Sequence, residues 1–299
     1  MSKKPADRGL CFCCQKPLTS ATVGGDKFTK EHYIPQWLFK RHGLRQQTMD
    51  LPSKAEIAYG HLWVPCCEAC NGQLNTEIEE RARVLITSVP PPWSEEDRQI
   101  MKRWLAKVYL GVRVRATTLP LDQKDPTSPT IADQREIDEA VLLRMVVQGL
   151  VTVPHSSLFV YECDPNDGDG FDFFSSDVAN LVLVRSGSVG LACMVLDGQL
   201  IETGMTPAHP LLSEATLGPL NAVSFRMVAA YAMAACAAAD VSHDAIYVSG
   251  TDGQPRPLSV RFTPHWTSGP PAAQVREMAM AMAETVAADV QWSDFNPPQ

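Results

Sequence analysis

The sequence predicts an α+β protein in three parts: a front module tied together by cysteines over residues 1–87, a helical connector over 88–150, and a C-terminal α/β domain with a mostly antiparallel sheet over 151–299. Three observations predict it. Six of the nine cysteines lie in two tight clusters before residue 71; helical periodicity begins only beyond those clusters; and β-like runs crowd the second half. At 299 residues, 45% hydrophobic and 20% charged, with proline and glycine scattered without period, the composition is that of an ordinary globular chain.

The first 60 residues lack helical periodicity and read as short strands and loops. From Cys70 onward Leu74, Ile78, Ala82, Leu85 and Ile86 recur at three and four residues among charged neighbours, the pattern of an amphipathic helix. Three prolines in SVPPPW, 88–93, end it. A second helix starts with Ser94 as N-cap and Glu95 and Glu96 in its first turn, runs through MKRWLAKVYLGV, and is expected to bury one side. The proline-rich stretch 117–130 is a linker or excursion, and a third helix is expected over Ala132 to Leu150. Strands follow at SLFVYEC (157–163), FDFF (171–174), ANLVLVRSG (from 179) and SVGLACMVLDG (from 188), with Asp197-Gly198 as a turn. A helix from Ala222 to Ala239, strands at DAIYVSG and PLSVRFT, and a closing helix over Ala272 to Ala288 complete the chain.

Charge is uneven. Residues 1–60 carry ten Lys/Arg against five Asp/Glu, while the remainder carries 16 against 29, within a net charge of −8. A locally basic front supplies a phosphate-attracting surface that uniform acidity would deny. No uninterrupted apolar run reaches the roughly 20 residues of a membrane span, so no membrane partner is expected and the default address is the cytoplasm.

Cys11 and Cys14 are separated by two residues, as are Cys67 and Cys70. Two such pairs supply the four soft thiolates of a tetrahedral structural zinc site, with Cys13 and Cys66 as alternates one register away. Cys163, Cys193 and Cys236 stand alone, and a clustered, odd set reads as metal binding rather than as a disulfide framework. The gap between the pairs holds KEHYIPQWL, 30–38, and asparagine follows the last cysteine of the second pair in CEACN, 67–71.

Over about residues 10–85 this arrangement resembles the HNH, or ββα-metal, nuclease superfamily, in particular its zinc-knuckle branch. The resemblance implies a zinc-stapled ββα-metal module that hydrolyses DNA phosphodiester bonds. It implies His32 as catalytic base, Glu31 and Asn71 as ligands of a catalytic divalent ion, magnesium or manganese, and His61 as the residue orienting His32. Glu31 stands where aspartate is commoner and His61 where asparagine is commoner, which leaves ligation of the ion as the alternative role of His61. Asn75, one helical turn beyond Asn71, is a second candidate for the ion. By analogy, such nucleases joined to varied second domains suggest bacterial defence, including antiphage defence, or mobile elements. The C-terminal domain would then select substrate or bind a protein partner or a second copy. The alternative is a non-catalytic zinc module that recognises nucleic acid or protein.

Other groups read as structural: His42, His155, His209, His243 and His265 have no metal-ligating neighbours, and Trp37, Trp63, Trp93 and Trp104 are expected to pack the module and its adjoining helices. The loop DPNDGDG, 164–170, lacks the glutamate of a calcium loop and reads as a solvated turn.

Overall fold

A computed structural model describes residues 9–18, 27–50, 56–122, 125, 127–133, 140–167, 170–176, 179–205, 219–239, 241–249, 255–264, 274–275 and 277–279. Helices and antiparallel sheets are mixed, as an α+β chain requires. Among the described residues, no helix is long and apolar enough to cross a membrane.

In the front module, β1 (Phe28–His32) pairs antiparallel with β4 (Trp63–Cys67), setting Glu31 opposite Val64 and His32 opposite Trp63. Between them lie α1 (Gln36–His42), stopped by Gly43 in the left-handed region at φ 64°, and the small pair β2 (Thr48–Asp50) and β3 (Glu56–Ala58). β4 leads directly into α2 (Glu68–Leu74), whose N-cap is Cys67, its sulfur accepting from the Cys70 N–H. A π turn over Asn75–Glu79 joins α2 to α3 (Glu80–Ser88), and the backbone stays helical across both junctions.

The second helix, α4 (Glu95–Ala116), begins as its sequence indicates: the Ser94 hydroxyl accepts from the Asp97 N–H at 3.1 Å. Arg81 of α3 grips Asp97 through two hydrogen bonds of 2.7 and 2.9 Å. Expected to bury one side, α4 is instead buried almost all round from Trp104 to Gly111, because the front module packs on one flank and a β-sheet on another. Helix α5 (Val141–Val147) packs along it and is shorter than the helix expected over Ala132–Leu150; Gly149, at φ 73°, follows its end, and residues 134–139 of that expectation lie outside the described ones. The Arg144 Nε and Gln148 Nε2 atoms donate to the carbonyls of Phe12 and Cys13, so this helix also holds the first cysteine turn. Pro120 bridges Thr130, which makes the proline-rich stretch a closed excursion.

Strands β5 (Ser156–Glu162), β6 (Phe171–Ser176), β7 (Leu181–Ser186) and β8 (Val189–Val195) form an antiparallel sheet in the order β5-β8-β7-β6. Alternation divides its side chains. Leu158, Val160, Val182, Val184, Leu191 and Cys193 join the core around α4, whereas Phe159, Tyr161, Leu181, Leu183, Ala192 and Met194 meet α6 (Ala222–Ala239). Both faces are covered, which is why β5, β7 and β8 read as near-continuous apolar runs. The core around α4 runs without a break from Cys11 to Val195, so the front module and the sheet share one interior. The turn after β8 places Leu196, Gly198 and Gln199 at positive φ, and the buried Asp197 carboxylate accepts from the N–H groups of Ser157, Gln199 and Ile201. β9 (Val241–Ser249) and β10 (Pro255–Pro264) form a hairpin. Of the closing helix expected over 272–288, only 274–275 and 277–279 are described.

Candidate metal centre and adjoining cleft

The sulfur atoms of Cys11, Cys14, Cys67 and Cys70 all lie within 4.8 Å of one another. Four sulfurs each ~2.3 Å from one tetrahedral zinc would stand about 3.8 Å apart, and the Cys14 and Cys67 sulfurs are separated by 3.9 Å. Two backbone N–H groups point at the cluster, Cys67 N to the Cys11 sulfur and Cys70 N to the Cys67 sulfur, both at 3.4 Å. Such donors favour thiolates. Thiol contacts, first that of Cys14, hold Cys11 far below its ordinary pKa, while its neighbour Cys11 pushes Cys14 up to about 12. Four sulfurs this close carry four negative charges only with a cation among them, and the cluster can hold a metal ion such as zinc. Cys66 comes within 3.9 Å of Cys11 but lies outside the mutually close set, as does Cys13.

Beside this cluster opens a cleft of ≈ 430 Å³ whose wall includes Glu31, His32, Asn71, Asn75, Glu79 and Arg83. Glu31 and His32 arrive from the end of β1, the rest from the helix that follows the second cysteine pair. Residues 71, 75, 79 and 83 are spaced by four, which drifts around an ordinary α-helix of 3.6 residues per turn. The wider π turn over Asn75–Glu79 offsets that drift, and all four reach the same cleft.

His32 is half-buried, with its ring edge-on to Phe39 at 5.8 Å. Gln36 Nε2 lies 3.3 Å from its Nδ1. An amide donating there engages the Nδ1 lone pair and leaves the ring proton on Nε2. Burial, aided by the charges of Lys107 and Lys30, lowers the His32 pKa, while a hydrogen bond to the Gly60 backbone opposes the shift. The imidazole is therefore neutral near pH 7. Asn71 donates its Nδ2 to the Thr29 hydroxyl at 3.0 Å, so the oxygen is the atom its amide has left to offer the cleft. Asn75 is tied in the same way to Glu80, at 3.0 Å. His61 is exposed on the turn Tyr59–His61 and is not among the residues lining the cleft; its neighbour Gly60 makes the contact to His32.

Glu31 is 7% exposed and forms an ion pair with Lys107 of α4. The same ammonium, 0% exposed, pairs with Glu79 and donates to the His32 carbonyl at 3.1 Å. Burial works against the charge on Lys107, but the carboxylates of Glu31 and Glu79 outweigh it and raise its pKa. Burial also pushes Glu31 up, against the attraction of Lys107. Three charges with a net of −1 thus lie beneath the cleft, and Lys30 and Arg83 stand exposed at its edge. Glu79, Gln36 and Lys107 escape a motif-based reading. Lys107 has one visible signal, a lone lysine between the apolar triplets WLA and VYL.

His42 bonds Ser186 Oγ at 2.8 Å, tying α1 to the sheet, and His155 is buried against Ser156, whereas His243 is placed only by its backbone in β9. His209 and His265 lie outside the described residues. In the loop from Asp164 the Asn166 N–H bonds the Asp164 carboxylate, and the buried Arg185 holds the Asp167 carbonyl. Compared with family models, curated proteins and solved structures, the chain matches none.

Proposed function

We propose that the chain is a metal-dependent endonuclease that hydrolyses DNA phosphodiester bonds in this cleft. The observation that carries the reading is the convergence of Glu31, His32 and Asn71 on one cleft beside the four-cysteine cluster. The donor chemistry fits a hard divalent ion: carboxylate oxygens of Glu31 and Glu79 and amide oxygens of Asn71 and Asn75 share the cleft. Glu31 and Asn71 would hold magnesium or manganese, which when bound supplies charge stabilisation to the phosphate and the leaving oxygen.

The side chains divide the remaining work. His32 takes the proton of the attacking water at Nδ1, the water displacing the Gln36 amide from that nitrogen. The Gly60 backbone and the Phe39 ring keep the imidazole from turning. Thr29 fixes the amide of Asn71, and Lys30 and Arg83 at the edge attract the phosphate backbone. The cysteine cluster, loaded with zinc, anchors the strand and helix that carry these groups.

The engagement of Glu31 by Lys107 favours one competing reading, a zinc module that binds DNA without cutting it. Plasmid nicking by the zinc-loaded chain with added magnesium or manganese separates the two. Cleavage that disappears in His32→Ala supports the nuclease, and DNA retention without cleavage in any divalent ion supports the binding module.

A further inference from the structure

Lys107 is the least expected group near the cleft. It lies in the interior of α4, with its ammonium enclosed and bonded to Glu31, Glu79 and the His32 carbonyl. A buried ion pair contributes little net stability, since an apolar side chain of similar volume is often tolerated equally well in its place. The consequence of Lys107 therefore lies in the charges it arranges. Without it, two carboxylates would face each other and either repel, favour protonation, or collect a divalent ion directly from solution.

Resting on the reading of the cleft as the divalent-ion site, we propose that Lys107 is a built-in counter-ion that holds Glu31 and Glu79 together and limits the cleft's own affinity for a divalent cation, so that the ion is taken up chiefly with a substrate phosphate. Charge balance carries the argument. The three ion-paired side chains sum to −1, whereas Lys30, Arg83 and Glu80 stand exposed on the cleft wall, where solvent screens their charges. A divalent ion alone brings the site to +1 in a poorly solvated place, and the single negative charge of a phosphodiester restores neutrality. Asn71 and Asn75 add donor atoms without altering that balance. Lys107 acts here as a positioning residue, through the carboxylates and through the His32 carbonyl.

The test is manganese binding by the full-length, zinc-loaded chain, followed by the electron paramagnetic resonance of free manganese, without DNA and with a short duplex in a His32→Ala background. A unit charge a few ångströms from a divalent ion is worth at least about tenfold in affinity, even with the dielectric of water. Lys107→Met is expected to bind manganese at least about tenfold more tightly without DNA and to lose most of the gain that the duplex gives the parent. A merely structural role would lower the affinity or leave it unchanged, and either result overturns the proposal. Glu79→Gln, which keeps the lysine and neutralises the site, is expected to weaken manganese binding by at least about tenfold. Unchanged affinity there overturns the proposal even if Lys107→Met does not fold. A wild type that nicks DNA while the manganese affinities of these variants stay flat removes the counter-ion role and keeps the nuclease. A wild type that never nicks while Lys107→Met gains manganese removes the nuclease and keeps the counter-ion.

Discussion

Gly111 of α4 lies directly against Tyr33: a Cβ added at Gly111 would come 2.2 Å from the Cβ of Tyr33. Tyr33 follows His32 in the chain, so this close approach seats the end of β1 on the central helix, one turn beyond Lys107. Gly111→Ala would gain up to ~1 kcal/mol from helix propensity, but overpacking of a filled interior costs roughly 1–3 kcal/mol. The approach is to backbone-proximal atoms rather than a flexible tip, so the overpacking wins. Urea unfolding is expected to show net destabilisation of about 1–2 kcal/mol. A stabilised Gly111→Ala would mean that helix and strand are not in contact here.

The four sulfurs of Cys11, Cys14, Cys67 and Cys70 form the set that could hold a metal ion, whereas Cys66 is a buried neighbour. Metal analysis of purified protein should find a single equivalent of zinc, lost in Cys70→Ala together with the tertiary signal of the front module. Cys66→Ala should keep its zinc and lose only stability, about 1 kcal/mol as for a small buried side chain. Loss of zinc from both variants would show that the ligand set shifts by one position.

The turn of the C-terminal sheet carries a pH signature distinct from the cleft. Burial, reinforced by Lys102 and Arg103, depresses His155 to about 4, so between its unfolded value near 6.5 and about 4 the unfolded chain binds the extra proton and stability falls as pH falls. The full effect is on the order of 3 kcal/mol. Burial raises Asp197 to about 6, and its protonation favours the folded chain over nearly the same interval as pH falls. The two oppose each other in the wild type. In His155→Gln only the Asp197 contribution remains, so relative to wild type the variant should gain stability on acidification from pH 6.5 to 4. A constant difference between the two profiles across that range would show that His155 does not titrate as a buried imidazole.

Local signals carried most of the fold. Cysteine spacing marked the metal cluster, Ser94 with its acidic first turn marked the start of α4, and the apolar runs from 157 to 195 marked four strands. What stayed hidden depends on long-range packing. The all-round burial of α4 was masked because Lys102 and Lys107 interrupt its apolar pattern, and those lysines form ion pairs with Glu202, Glu31 and Glu79 from distant segments. The shared interior of front module and sheet was equally illegible, since nothing local says that Leu191 faces α4 while Ala192 faces α6. At the cleft, it was the family resemblance that singled out Glu31, His32 and Asn71, three residues of its wall. The π turn that adds Glu79 to the same wall leaves no simple periodic mark.

The measurement that bears most directly on the account is plasmid nicking by metal-stripped protein reloaded with zinc and then given magnesium or manganese, for wild type and His32→Ala side by side. The account predicts nicking by the wild type only when the divalent ion is added, and a loss of at least about a hundredfold in His32→Ala with zinc content and fold intact. Undiminished nicking by His32→Ala, or DNA binding by the wild type with no cleavage in either ion, would contradict it.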